Sequence, residues 1–306
     1  MARFLVVGSL GWDRIISLDA SLESGRRIGG RSDLGAYGDL LGGRLGGGAA
    51  NASAALQSAG HSVSVFSAVS EDTIGDRILE HAASLDIDLS LVRRVPQPRG
   101  VSLILVEPNG ERTILGVSDL RDDVRSTWRK ALQKCAPLTV DDLHNIAPNG
   151  IYLRAAYPGY AVAAHHASAT IVAHWPFAGF DTPVSADVLI GSADDLSVIA
   201  EREDLFGQAQ QVAGARLRAL IVTDGAQGGA VYSPNTQFTY KSPNIAQKDA
   251  TGAGDIFAAG LLEALVLGAD LREAVEHGAR WGAIAASEAG PLSAYAPGRF
   301  TAWTEM

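Results

Sequence analysis

The sequence predicts one α/β domain over residues 1–306, with a mostly parallel central sheet and a small β-sheet lid. Short apolar runs, typical of strands buried on both faces, alternate with longer runs of helical periodicity. This alternation indicates βαβ units. Two β-rich segments, at about 14–44 and 98–118, interrupt it, and we expect them to form the lid outside the main sheet.

Composition places the chain among globular proteins and excludes some partners. Its 306 residues are 47% hydrophobic and 19% charged, which is ample material for a core. The net charge of −9 argues against a nucleic-acid partner, because phosphate backbones select basic surfaces. The apolar run near the N-terminus is too short for a signal peptide or membrane span, and the single cysteine, Cys135, fits a reducing compartment. We therefore expect a cytoplasmic protein without a membrane partner.

The first predicted strand runs from Phe4 to Val7 and ends at Gly8. Asp13 follows shortly afterwards, near the carboxyl edge at which open α/β sheets usually bind ligands. A carboxylate there can bind sugar hydroxyls, and the alternative is an ordinary turn-forming aspartate. Three consecutive glycines then precede a small-residue helix at 52–58. They permit close backbone approach to a ligand, while Asn51 offers a donor and an acceptor to a hydroxylated substrate.

A hairpin interrupts the next part of the α/β alternation, which has a strand at 63–66 and a helix at 74–85. Its β-rich runs, 101–106 and 112–115, are joined by Pro108-Asn109-Gly110, a strong turn signal. Such a lid would exclude water from an active site beneath it.

The second half continues the alternation. Strands are predicted at 150–153, 170–173, 188–190 and 220–222, and helices at 121–135 and 270–287. A glycine-rich turn at 223–229 would let a nucleotide lie close to the backbone. His165, His166 and His174 show no metal-ligand spacing, so we interpret them as core or surface imidazoles.

The segment from Asp249 to Asp255 precedes an apolar run, Ile256 to Leu267, that predicts a buried helix. Its glycines let backbone N–H groups turn outward at a helix N-terminus, where unpartnered donors and the helix dipole favour an anion. Asp255 would repel a bound phosphate, so we expect it to take a proton from a hydroxyl that attacks a nucleotide's γ-phosphate. The alternative is a glycine-rich turn in which Asp255 is an ordinary N-cap.

Taken together, these segments resemble the PfkB family of carbohydrate kinases over nearly the whole chain. Both family signatures are present in order, G-G-x-x-x-N at Gly46 to Asn51 and D-T-x-G-A-G-D at Asp249 to Asp255, where Ala250 stands in place of the threonine. The resemblance implies a ribokinase-like three-layer α/β sandwich. It also implies ATP- and Mg²⁺-dependent phosphorylation of a hydroxyl on a small sugar or sugar-like substrate, and a homodimer formed through the lid.

Roles in catalysis and substrate binding follow from this resemblance by matching position. Asp255 corresponds to the catalytic base. The anion hole corresponds to Gly252, Ala253 and Gly254. The contacts to substrate hydroxyls correspond to Asp13, Gly47 and Asn51.

Nucleotide and cation sites are implied in the same way. Thr223 and Gly225 match the nucleotide-binding T-x-G turn. Asp249 and Thr251 match positions that hold a monovalent cation in some members, which makes K⁺ a candidate cofactor.

Departures from the family pattern bear on metal and substrate. Ser192 and Asp195 replace the N-x-x-E motif that organises magnesium and phosphates, and their side chains are shorter. Gly11 stands where many members have an asparagine that contacts sugar. Arg99 and Arg154 occupy positions where neutral or acidic residues are common, which predicts an acidic or phosphorylated substrate.

Two alternatives remain open. A nucleoside kinase would use the same fold, with Trp12 stacking on a base. A catalytically weak ligand-binding or regulatory protein is favoured by the altered segment 192–195. The intact Asp255 argues against this second alternative, because a binding protein needs no carboxylate beside an anion site.

Overall fold

A large and a small β-sheet organise the computed structural model, and helices pack on both faces of the large sheet. The structure describes residues 1–32, 43–98, 100–117, 128, 130–166, 168–176, 184–197, 204–288 and 298–305.

Within the described residues, nine strands form the large sheet, and seven of them are parallel. In spatial order they are Gln237–Tyr240 (β14), Gly229–Tyr232 (β13), Ala219–Thr223 (β12), Val188–Ser192 (β11), Thr170–His174 (β10), Gly150–Leu153 (β9), Arg3–Val7 (β1), Ser62–Ser70 (β5) and Val92–Val95 (β6). β13 pairs antiparallel with both β12 and β14, and the remaining neighbouring pairs are parallel. The mostly parallel sheet is as predicted.

Continuous apolar runs form the central strands because both faces of the sheet are covered. In β1, Phe4 and Val6 point into one core, and Leu5 and Val7 point into the other. All four side chains are fully buried.

Eight α-helices lie in the described part of the chain. They are Gly48–Ser58 (α1), Thr73–Ala83 (α2), Val140–Ile146 (α3), Tyr160–Ala164 (α4), Ala193–Ser197 (α5), Leu205–Ala213 (α6), Ala253–Val266 (α7) and Leu271–Ala286 (α8). Asp270 and Glu273 form a capping box at the start of α8, with both hydrogen bonds at 2.9 Å. Most of the helix predicted at 121–135 lies outside the described residues. None of the described helices has the length and apolarity needed to cross a membrane.

The buried helix α7 carries the glycine-rich loop at its N-terminus. Its apolar residues face the sheet and the neighbouring helices, as the continuous hydrophobic run predicts. It packs closely on α8, since a Cβ at Gly260 would lie 2.9 Å from the Trp281 ring. This close packing fixes the loop at the carboxyl edge of the sheet.

The small sheet is formed by the two predicted inserts. Its strands are Gly30–Ser32 (β3), Gly11–Leu18 (β2), Val101–Val106 (β7) and Arg112–Val117 (β8), with Arg44–Gly46 (β4) paired to β2. The hairpin of β7 and β8 turns at Gly110, which has φ 82°. β2 begins at Gly11, three residues before the predicted start of the insert. Residues 33–42, 99 and 118 of the inserts lie outside the described part of the chain.

Candidate active site

Two adjacent cavities lie on either side of the loop at 249–255. The smaller has a volume of about 300 Å³, and the larger about 680 Å³. The loop is shared between them, because Ala253 and Gly254 line the smaller cavity whereas Gly252 and Asp255 line the larger one. A group passing between the cavities would therefore cross the N-terminus of α7.

The predicted site residues segregate between the two cavities. The smaller cavity is lined by the three predicted nucleotide residues, Ser192, Thr223 and Gly225. The larger cavity is lined by four of the five predicted substrate residues, Asp13, Gly47, Asn51 and Arg154. The fifth, Arg99, lies outside the described residues.

Asp255 lies in the first turn of α7, and its carboxylate accepts three side-chain hydrogen bonds. Oδ1 accepts from Arg154 Nε at 2.7 Å and from the Tyr152 hydroxyl at 3.2 Å. Oδ2 accepts from Asn51 Nδ2 at 3.3 Å. The N-cap of α7 is Gly252, with φ 76°, so the interpretation of Asp255 as an ordinary N-cap is wrong.

Arg154 directly follows β9, and its backbone N–H donates to Val7 O at 2.8 Å. Its side chain passes between two glycines, because a Cβ on Gly8 would lie 2.9 Å from Arg154 Cβ and one on Gly48 would lie 2.6 Å from Arg154 Cγ. Burial lowers the pKa of Arg154, but the Asp255 carboxylate outweighs this effect, so the guanidinium stays charged. The side chain remains 35% exposed and can also meet a ligand in the larger cavity.

Tyr152 and His174 are neutral groups beside this ion pair. Burial, followed by the charge of Asp255, raises the pKa of Tyr152 well above its usual value, so its hydroxyl stays protonated. Burial, followed by the charge of Arg154, lowers the pKa of His174 to about 4, so its imidazole is neutral at pH 7. The sequence interpretation of His174 as a core or surface residue missed this position. Its place at the carboxyl end of a predicted strand was the available signal.

The loop at 249–255 depends on a close approach between Gly252 and Asn51. A Cβ on Gly252 would collide with the Asn51 side-chain amide, and the positive φ of Gly252 also favours glycine. The N–H of Ala253 donates to Ala250 O at 3.2 Å, so that amide is already engaged in the turn. The assignment of Gly252, Ala253 and Gly254 to an anion hole stays a prediction.

Asp13 and Gly47 form the opposite wall of the larger cavity. Asp13 is 7% exposed and belongs to β2, where a Cβ on the neighbouring Gly46 would collide with its carboxylate. Gly47 has φ 91° and is the N-cap of α1. Trp12 also lines this cavity, but its indole is 2% exposed and meets His81 edge-on at a centroid distance of 5.0 Å. Little of its ring face is left for stacking on a base.

Asp249 and Thr251 have the chemistry of a monovalent cation site. Both are buried, and Asp249 Oδ1 accepts from Thr251 N–H at 2.8 Å. Asp249 Oδ2 and Thr251 Oγ1 are also buried, but neither has a hydrogen-bond partner among the residues that the structure describes. An unpartnered buried carboxylate oxygen is costly, and a cation bound there would satisfy it.

The segment predicted to organise magnesium begins α5. Asp195 N–H donates to Ser192 Oγ at 3.0 Å, and Asp195 is exposed. No group of three His, Cys, Asp or Glu side chains that could hold a metal is found within the described ranges. Mg²⁺ in nucleotide sites commonly takes only one or two carboxylates and completes its coordination with phosphates and water, so Asp195 fits as a single ligand.

Comparison with known proteins identifies the fold and then the family. The structure resembles Arabidopsis thaliana ribokinase, complexed with ribose and ATP, with a TM-score of 0.69 and 22% identity; the match covers 98% of this chain and 97% of that chain. The model of the pfkB family carbohydrate kinases matches residues 41–297. The chain belongs to the PfkB family.

Two relatives match over nearly their whole length. The ATP-dependent ribose-1-phosphate kinase of Halopiger xanaduensis is 25% identical over 321 residues, which cover 96% of this chain and 95% of that protein. The ribokinase of Schizosaccharomyces pombe is 26% identical over 308 residues, which cover 96% and 94%. The predicted membership and the ribokinase-like α/β fold are confirmed, and the protein is a kinase of this family.

Proposed function

We propose that this protein is an ATP-dependent kinase that phosphorylates a hydroxyl of a small sugar or sugar-like substrate, with Asp255 as the general base. The observation that carries the proposal is the division of the α7 N-terminus between the two cavities. Asp255 faces the cavity of the predicted substrate residues, whereas Gly254 faces that of the predicted nucleotide residues. A substrate hydroxyl and a nucleotide phosphate would thus meet at the loop.

Each cavity has a role in this proposal. ATP occupies the smaller cavity, where Ser192, Thr223 and Gly225 bind it, and the sugar occupies the larger. Asp255 takes the proton of the attacking hydroxyl. The backbone at 252–254 and the helix dipole stabilise the transferring charge. The Ala253 N–H also donates to Ala250 O within the turn, so it contributes less to this stabilisation than a free N–H would.

Asp13, Gly47 and Asn51 bind the hydroxyl groups of the sugar in this proposal. Asp13 and Asn51 supply polar side chains, and Gly47 brings the backbone close to the cavity. Asn51 also donates to Asp255, so it links substrate position to the base.

Two cations complete the proposed site. Asp195 would hold Mg²⁺ on the nucleotide phosphates, where it neutralises charge that develops during transfer. Asp249 and Thr251 would hold K⁺, which satisfies the buried unpartnered oxygens and fixes the loop. These residues also determine the loop without a cation, since the Asp249 carboxylate accepts the Thr251 N–H.

The charge in the larger cavity supports an anionic substrate. Arg154 is charged, partly exposed and directed toward this cavity, so it can bind a carboxylate or phosphate while Nε retains Asp255. The similarity to a ribose-1-phosphate kinase agrees with a phosphorylated sugar. Arg99 would add to this charge, but it lies outside the described residues.

The small sheet is proposed to be a lid and a dimer surface. β8 is the edge strand of that sheet, and its Ile114, Leu115 and Val117 are each more than 40% exposed. An exposed apolar edge strand is a site for pairing with another chain. A homodimer would cover these side chains.

An ADP-release screen with Mg-ATP tests the proposal. The panel contains neutral sugars, sugar acids, sugar phosphates and nucleosides, and Asp255→Asn is the matched control for the site. We expect turnover of a sugar or sugar phosphate by the wild type and its loss in the variant. Turnover of a nucleoside alone would support the nucleoside-kinase alternative. No turnover of any compound, with ATP still bound, would support the weak ligand-binding alternative.

A further inference from the structure

Arg112 alone, among the residues that the structure describes, lines both cavities. It is the first residue of β8 and is paired with Val106 across the hairpin of the small sheet. The loop at the α7 N-terminus also borders both cavities, but each of its residues lines at most one of them. Arg112, in the small sheet, and this loop, at the start of α7, therefore border the same junction.

A contact at the hairpin tip determines where Arg112 lies. Gly110 O accepts from Gln247 Nε2 at 3.5 Å, and a Cβ on Gly110 would lie 3.3 Å from the same nitrogen. Gln247 itself lines the smaller cavity, and Gly110 is two residues from Arg112. The tip thus rests on the wall of the proposed nucleotide cavity, which holds Arg112 at the junction.

Arg112 places an available positive charge at the junction between the two cavities. Arg154 also lines the larger cavity, but its Nε is engaged with Asp255. Arg112 is exposed and forms no ion pair within the described ranges. A phosphoryl group that crosses the junction carries negative charge on its peripheral oxygens, and a planar guanidinium can bind two of them.

We infer that Arg112 is a further catalytic residue, which contacts the transferring phosphoryl group from the side opposite the α7 loop. This inference rests on the proposed function. The substrate hydroxyl oxygen forms a bond to the γ-phosphorus, the bond from that phosphorus to the bridging oxygen breaks, and ADP leaves with the electron pair. Asp255 takes the hydroxyl proton, and Arg112 stabilises the charge on the peripheral oxygens without exchanging a proton.

The test compares Arg112→Gln with Arg112→Lys and with the control Arg31→Gln. Arg31 belongs to the same small sheet, is largely exposed and lines neither cavity. Isothermal titration calorimetry with Mg²⁺ measures the affinity of each protein for ADP and for the non-hydrolysable ATP analogue AMP-PNP. Turnover is measured with Mg-ATP and the substrate found in the screen.

Arg112→Gln should lower kcat about 10²-fold, as loss of one preorganised donor to a developing anion typically does. It should weaken AMP-PNP binding about 10-fold while the ADP affinity changes less than twofold, because ADP lacks the γ-phosphoryl group that Arg112 would contact. Arg112→Lys should recover part of both losses, and Arg31→Gln should match the wild type. Equal weakening of ADP and AMP-PNP, or an effect confined to the substrate KM, would overturn the inference.

The two nucleotides keep this result separate from the proposed function. If the wild type phosphorylates nothing in the screen, the proposed function fails, yet the AMP-PNP to ADP affinity ratio still measures the contact of Arg112 with a γ-phosphoryl group. If the wild type turns over a substrate and Arg112→Gln retains kcat within threefold, the inference fails and the proposed function stands. Thermal melting of each variant checks that the protein is folded.

Discussion

Replacement of Asp255 by Asn removes the proposed base while it preserves the shape of the side chain. Asp255 is held by donors from Arg154, Tyr152 and Asn51, so this substitution also has a structural cost. The Asn carbonyl can still accept from Arg154 and Tyr152. Its NH₂ group would then face the Asn51 NH₂ group, and the Asn51 amide has to turn over to present its oxygen.

The expected magnitudes separate catalysis from stability. Loss of a general base typically lowers turnover about 10²- to 10⁴-fold. Replacement of the Arg154–Asp255 ion pair by a hydrogen bond from the charged guanidinium to a neutral amide costs about 1 kcal/mol, less than loss of a fully buried pair would, because the Arg154 side chain is 35% exposed. ADP affinity should be unchanged, since Asp255 lines the other cavity.

Turnover, urea unfolding and ADP titration together measure these effects. Tyr152→Phe is the matched control, because it removes one donor to the same carboxylate oxygen and leaves the carboxylate intact. It should cost about 1 kcal/mol in unfolding free energy and change turnover less than tenfold. Asp255→Asn turnover within threefold of the wild type would refute the assignment of the base. If Asp255→Asn lowers the free energy of unfolding by several kcal/mol, unfolding would explain its inactivity.

Three further predictions concern neighbouring residues. Arg154→Gln should lower kcat/KM for ribose 1-phosphate about 10-fold more than for ribose, from the loss of a charge-assisted contact; equal losses would exclude an anion-binding role. K⁺ should raise turnover above that in Na⁺ or tetramethylammonium at matched ionic strength, and Asp249→Asn should abolish this difference; equal rates in all three cations would argue against the site. The folded pKa of His174 is about 4, below its ordinary 6.5, so the unfolded chain binds more protons between these values and stability should fall as the pH falls from 6.5 to 4. His174→Gln should make that fall shallower in urea unfolding at several pH values, whereas an identical pH dependence would contradict the buried neutral imidazole.

Much of the fold, including the glycine-rich loop before α7, could be predicted because the signals are local. An apolar run such as Phe4 to Val7 determines a strand buried on both faces, and Asp270 with Glu273 determines where α8 begins. The loop at the α7 N-terminus is likewise encoded by adjacent residues. β6 was not predicted, since its four residues, Val92–Val95, include two arginines and lack a long apolar run.

The ion pair between Arg154 and the proposed base, Asp255, depends instead on residues that are distant in sequence. Asp255 and Arg154 are 101 positions apart, and Asn51 is 204 positions from Asp255. Arg154 was predicted to face the substrate from its match to a family position, where neutral or acidic residues are common. That it also binds the base depends on how closely α7 packs against β9, which no local pattern specifies.

The glycine run at 46–48 correctly predicts that other groups approach the backbone, but not all of these groups belong to a ligand. Their run was interpreted as backbone that approaches a ligand, and Gly47, with φ 91° beside the larger cavity, fits that reason. Gly48 is required by a side chain of this protein, because a Cβ there would lie 2.6 Å from Arg154 Cγ and 2.9 Å from Asp255 Oδ1. A glycine run indicates that something comes close to the backbone, and here the group beside Gly48 is the arginine that binds the proposed base. The glycine-rich entry to α1 therefore serves two purposes, since one residue shapes the cavity wall and the next leaves room for the ion pair.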